Sequence, residues 1–135
     1  MYTATLDVPY TVGEYLAFDA ASEQRNEYFS GRIMTMERGR DVEHIQIVGN
    51  FIVRFGNAFD DGPYQIWTSM LRVRVAQTCY LYPDISVSSG KPDFLPTHYE
   101  TLANPVVIIE VVDDNTDVID RGLKLAGCRE SLTVQ

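Results

Sequence analysis

The sequence is short of cysteine, histidine and positive charge, and it has no long apolar run. Two cysteines, Cys79 and Cys128, do not make the disulfide framework on which small secreted domains depend. Eleven Lys and Arg stand against nineteen Asp and Glu, for a formal net charge of −8. Such a chain offers no global basic surface to neutralise phosphates. A nucleic-acid partner therefore requires a local basic stripe or a bound divalent ion. No apolar stretch approaches the roughly 18 residues of a membrane-spanning helix. The opening MYTATLDVPYTVGEYLAF shows neither the basic nor the apolar region of a secretory signal. With two ordinary thiols, this gives the expectation of a cytoplasmic protein without membrane contact. No internal repeat, low-complexity tract or linker is visible. What is present is apolar and aromatic: 45% of the 135 residues are hydrophobic, with 8 Tyr, 6 Phe and 1 Trp. That composition excludes collagenous, coiled-coil and disordered chains, and the length suits one domain with one core.

Local patterns supply the elements. Thr11 and Glu14 have capping-box spacing and open a helix that ends near Ala21. Ser30-Gly31 divides the alternating stretch Arg25–Met36 into a hairpin. Asp41 is a natural N-cap for a helix whose apolar stripe is Ile45, Val48, Ile52, Phe55 and Phe59. Asp60-Asp61-Gly62-Pro63 ends it. Gln65–Thr68, Leu71–Val75 and Leu81–Val87 read as strands. Gly90–Asn104 reads as a loop holding at most a turn of helix, and Val106–Val112 as a strand covered on both faces. A last helix, capped by Asn115 or Thr116, runs to about Arg129. The order is that of an α/β or α+β domain with a mixed sheet.

The chemistry concentrates in two carboxylates. Glu110 lies inside the apolar run VVIIEVV, where an ionised group needs a cation, a donor or water. Asp84 follows Pro83 and opens the strand Ile85-Ser86-Val87. If the two strands are neighbours, both carboxylates enter one pocket and make a hard oxygen site suited to Mg²⁺ or Mn²⁺. Lys124, on the following helix, is the nearest lysine to orient water or to balance developing charge there. Each residue also has an ordinary reading. Asp84 suits a turn after proline, Lys124 an exposed helix position, and Glu27 a cross-strand partner of Arg25 or Arg32. His44 reads as a first-turn helix residue, and Arg72 and Arg74 as partners for the excess carboxylates.

Pro83-Asp84 followed twenty-six positions later by Glu110-Val111-Val112 resembles the PD-(D/E)xK nuclease pattern, with Val112 where its final lysine would stand. The wider chain resembles the Uma2 family of restriction-endonuclease-like proteins. The matching stretches are YTVGEYL (10–16), RNEYFSGRI (25–33), EHIQIVGN (43–50), RVRV (72–75), YPDISV (82–87), NPVVIIEVV (104–112) and DRGLK (120–124). The resemblance implies a restriction-endonuclease-like α/β fold, with a central mixed sheet flanked by helices, spanning residues 1–135 as a single domain. It implies that Asp84 and Glu110 hold Mg²⁺ or Mn²⁺, with the carbonyl of Val111 as a third ligand. Lys124, moved from the strand to the next helix, would position the attacking water. Glu27 would join the catalytic set, and His44 matches a family position without a defined role. The implied reaction is metal-assisted hydrolysis of DNA phosphodiester bonds.

The chain also departs from that pattern. Asp113-Asp114 replaces the usual Ser-Pro, Met70 stands where an acidic residue is frequent, and the sequence reaches Gln135 without the family's last strand or strands. Gly127 weakens the final helix by about 1 kcal/mol relative to Ala. An open sheet edge would then favour a homodimer. Three functions follow: a metal-dependent endonuclease, a catalytically silent member that dimerises or binds a partner, and a metal-buffering or small-anion-binding domain.

Overall fold

In the computed structural model of the protein, residues 2–4, 9–36, 42–96 and 98–111 are described. The capping box is closed: Thr11 Oγ1 accepts the Glu14 amide at 3.1 Å, and Glu14 Oε1 accepts the Thr11 amide at 2.9 Å. Two donors that a helix start leaves open are thereby satisfied. The helix so begun, α1 (Val12–Ala21), stops where the sequence predicts. β1 (Tyr2–Ala4) precedes it, and β2 (Asn26–Phe29) and β3 (Arg32–Met36) follow as the expected hairpin. Its turn has φ 46° at Ser30 and 94° at Gly31. Two left-handed residues in a two-residue turn match the twist of the flanking strands.

The long helix α2 (Val42–Ala58) is followed by turns through Gly62. Asp41, its expected N-cap, lies outside the described residues. The apolar stripe needs one correction. Val48, Ile52, Phe55 and Phe59 are partly buried, but Ile45 is 60% exposed and His44 takes the first inward position. Spacings of four, four, three and four from His44 form one helical face, so the stripe begins with an imidazole.

β4 (Tyr64–Thr68) and β5 (Arg72–Ala76) lie where expected. The stretch 81–87 is not one strand. It divides into β6 (Cys79–Leu81) and β7 (Ile85–Ser89), which belong to different sheets. Pro83 between them has no N–H to give a ladder. The expected loop 90–104 holds β8 (Phe94–Leu95) and β9 (His98–Leu102). Asn104 clasps this segment, accepting from the Asp93 amide at 2.8 Å and donating to the Lys91 carbonyl at 3.2 Å. β10 (Pro105–Ile109) follows. Among the described residues it lies at the edge of its sheet, and Val107 is 41% exposed, against the cover expected on both faces. The last helix of the sequence reading lies outside the described residues.

Seven strands form a mixed sheet in the order β1-β3-β2-β6-β5-β9-β8, with β5–β9 its parallel pair; β10-β7-β4 form a three-stranded antiparallel sheet. On one face of the larger sheet, Tyr15 and Leu16 of α1 pack on Tyr28, Ile33 and Tyr80. On the other, Phe29, Met34, Val73, Val75 and Leu81 meet Trp67 and Ile108 of the smaller sheet. α2 lies against β4, where the rings of Phe59 and Tyr64 are 5.0 Å apart. The fold is a mixed α+β arrangement in which the smaller sheet is sandwiched between the larger one and α2.

Candidate functional site

The chain passes between the two sheets several times, and the candidate site is built at one of the short crossings. β6 ends at Leu81 and β7 starts at Ile85, so Tyr82-Pro83-Asp84 carries the chain between the sheets. All three residues are buried. Asp84 is 7% exposed. Its Oδ2 accepts the Val111 amide at 2.8 Å and stands 3.2 Å from His44 Nε2. Its Oδ1 takes no hydrogen bond among the described residues.

Strand register brings the backbone of Glu110 to the same strand end. Ile109 pairs with Ile85 across β10 and β7, so the next antiparallel position sets Glu110 opposite Asp84. Residues directly opposite on antiparallel strands share a face. The Val111–Asp84 hydrogen bond holds the strand ends together just past the ladder. The two strands are thus neighbours, which is the condition the sequence reading set for a shared pocket. Glu27 is fully buried, opposite Met34 on β3, and its Oε2 accepts the Tyr82 amide at 2.7 Å. It reaches the residue two positions before Asp84. Lys124 lies outside the described residues, as do Asp113, Asp114 and Asp117.

Among the described residues, no three His, Cys, Asp or Glu side chains gather as a metal-holding group. The donor set fits Mg²⁺ nonetheless. Magnesium is commonly held by one or two carboxylates while keeping several waters. Asp84, Glu110 and the Val111 carbonyl are hard oxygen donors of that kind.

A second polar cluster lies behind the crossing, and sequence patterns had disclosed only part of it. Asp19 of α1 accepts four hydrogen bonds: from the Asn26 amide at 3.0 Å, Asn26 Nδ2 at 3.1 Å, Arg72 Nη1 at 2.8 Å and Tyr82 Oη at 2.5 Å. Arg72 also donates to Thr101 Oγ1 at 2.7 Å and Glu100 Oε1 at 3.4 Å, and its guanidinium lies over the Tyr15 ring. The expected carboxylate pairing of Arg72 is present, with Asp19 as its buried partner. Burial raises the Tyr82 phenol above its ordinary value, with Asp19 adding to the effect. For Arg72, burial pulls the pKa down, but Tyr82, Tyr15 and Asp19 outweigh it and the net shift is upward. Asp19 carried no sequence signal beyond being a carboxylate in a helix of small and apolar residues.

A seven-stranded mixed sheet with α1 on one face and a three-stranded sheet on the other places the chain in a mixed α+β, restriction-endonuclease-like class of domain. The chain belongs to the Uma2 family, described as "Putative restriction endonuclease", whose model matches residues 12–135. It is 32% identical over 112 residues to an uncharacterized protein of Synechocystis sp., covering 82% of this chain and spanning 57% of that relative's length. Among solved structures it resembles one described as a "putative nuclease belonging to DUF820" from Anabaena variabilis. That likeness has a TM-score of 0.73 at 18% identity, and covers 91% of this chain and 69% of that one; it establishes the fold. No helix among the described residues is long and apolar enough to cross a membrane.

Proposed function

We propose that the chain carries a metal-dependent endonuclease site that hydrolyses DNA phosphodiester bonds. The observation that carries this reading is the 2.8 Å bond from the Val111 amide to Asp84, which ties the residue after Glu110 to the start of β7 beside the β10 pairing. Asp84 through Oδ1, Glu110 and the Val111 carbonyl are the groups that would hold Mg²⁺ or Mn²⁺. Such an ion, when bound, lowers the pKa of water and offsets charge on the phosphate. The protein's own groups then have distinct tasks. Val111 N–H and His44 fix Asp84 Oδ2, so that Oδ1 is the oxygen presented. Glu27 holds the Tyr82 amide and acts from behind the pocket. Lys124 takes the position from which the family resemblance has it orient the attacking water. DNA is the substrate in this reading, and a second copy of the chain the protein partner.

A catalytically silent, partner-binding role is supported by a different fact. With a formal net charge of −8, the chain repels a polyanion unless cations intervene. Calorimetric Mn²⁺ titration beside a plasmid-nicking assay separates the two. The nuclease reading expects binding and metal-dependent nicking, with both lost in Glu110→Ala at unchanged circular dichroism. Binding without nicking supports the silent role. A Glu110→Ala protein that still nicks at the wild-type rate overturns the site assignment.

A further inference from the structure

The cluster of Asp19, Arg72 and Tyr82 has no part in the chemistry above, and stability alone is a poor reason for its existence. An ion pair with side chains 3% and 4% exposed carries a desolvation cost that often equals its attraction, and packed apolar residues would do as well. What such a cluster supplies is a single fixed geometry once every group in it is satisfied. This one is satisfied. Asp19 uses four acceptor sites. Asn26 donates to Asp19 and the Gln24 carbonyl and accepts from Thr35. Tyr15 closes it by donating to the Asn26 carbonyl.

Its position supplies the rest. Tyr82 is the first residue of the three that cross between the sheets, and it is gripped on both sides. Its hydroxyl goes to Asp19 on the α1 face of the larger sheet, while its amide goes to Glu27 on the other face. Arg25 lies over its ring, 5.8 Å from the centroid, and donates to the Ser69 carbonyl at 2.6 Å. Pro83 is fully buried and restricted in φ. Little freedom then remains between Tyr82 and the Asp84 carboxylate. We infer that Asp19, Arg72 and Tyr82 are positioning residues for Asp84: through the Tyr82 hydroxyl they fix the crossing, and so set the divalent-metal affinity of the site without touching metal or substrate. This rests on Asp84 being a metal ligand, as proposed above.

The test is Mn²⁺ titration of the folded chain by calorimetry, with thermal denaturation of every variant. Tyr82→Phe removes one hydrogen bond to a charged group and keeps the ring. It is expected to weaken Mn²⁺ binding by about tenfold, the equivalent of such a bond. Thr11→Ala at the start of α1 is the control for stability lost elsewhere, and is expected to keep wild-type affinity. Arg72→Lys is the second variant, to be used also if Tyr82→Phe does not fold. It retains the charge beside Asp19, loses the forked geometry, and is expected to shift affinity in the same direction. Wild-type affinity in a folded Tyr82→Phe protein, or in Arg72→Lys where that variant stands in, overturns the inference. So does an equal loss in Thr11→Ala. Asp84→Ala makes the two failures distinguishable: if it binds Mn²⁺ as the wild type does, Asp84 is no ligand and the site reading falls with the inference. If it abolishes binding while Tyr82→Phe changes nothing, the site stands and the positioning role fails.

Discussion

Single residues in this molecule are tuned mainly by burial. Tyr15 is fully buried, and burial, reinforced by Asp19 and Tyr82, raises its phenol pKa far above the ordinary value near 10. The sign of the resulting pH dependence is fixed. Below about pH 10 both folded and unfolded states keep the proton, so the stabilisation is fully present. Above it the unfolded chain releases the proton while the folded one retains it, and stability falls by about 1.4 kcal/mol per pH unit for such a group. Urea denaturation between pH 9 and 11 is therefore expected to show a steeper loss in the wild type than in Tyr15→Phe. The difference in slope should approach that figure only above pH 10 and average about half of it across this range, although the variant is less stable at neutral pH. Equal slopes would mean that Tyr15 titrates normally in the folded protein. The shift was not legible in the sequence, because it depends on what covers the ring rather than on its neighbours in the chain. Arg72 shows the same limit: the acidic excess suggested a carboxylate partner, but only the docking of α1 made that partner Asp19.

Elements were legible where their signals are local. Thr11 with Glu14 and Ser30 with Gly31 are chemical statements about a few adjacent residues, and both form as read. The hairpin turn gives a direct test. Gly31 has φ 94°, and a Cβ there would stand 2.9 Å from Pro9 Cβ, while its carbonyl accepts the Tyr10 amide at 2.8 Å. Gly31→Ala is expected to destabilise the protein by more than about 1 kcal/mol, since backbone strain and a close contact act together. Ser30→Gly, which relieves a left-handed serine at φ 46°, should be neutral or better. A Gly31→Ala midpoint equal to the wild type in chemical denaturation would mean that the segment at Pro9 moves aside freely. Elements that depend on distant contacts were misread. The strands at 94–95 and 98–102 need the Asn104 clasp and the parallel pairing with β5, and no periodicity announces either. The division of 81–87 was readable only in part. Pro83 signalled a break in the ladder, but nothing local says that the chain changes sheets there. For the candidate site, Glu110 stood out because a Glu in an apolar strand is an anomaly, whereas Asp84 after proline is ordinary by itself and gained weight only from its spacing to Glu110; that the two strands are neighbours came from the antiparallel pairing.

At the scale of the whole molecule, the site depends on how two sheets are held together. Asp84 stands just before β7 and Glu110 just after β10 of the smaller sheet, whereas Glu27 and the Asp19 cluster belong to the larger sheet and α1. If the sheets separated, the crossing at 82–84 would lose its anchors and the carboxylates their fixed placing. The contact between them is a shared apolar layer, with Trp67 and Ile108 packed on the cluster of Phe29, Val73, Val75 and Leu81. The single tryptophan lies in that layer: its ring stands edge-on to Phe94 at 5.9 Å, and its Nε1 donates to Ser88 Oγ at 2.8 Å. Trp67 thus reports the junction, while far-ultraviolet circular dichroism reports the strands and helices of both parts. A chain that behaves as one domain, as its length predicts, should lose both signals with the same midpoint in urea. If fluorescence changes first, the smaller sheet undocks before the larger one unfolds, and the two parts are separate cooperative units. Metal affinity, measured below the main transition, would then fall along with the fluorescence, because the proposed ligands lie on the part that leaves and the residues proposed to place them on the part that stays.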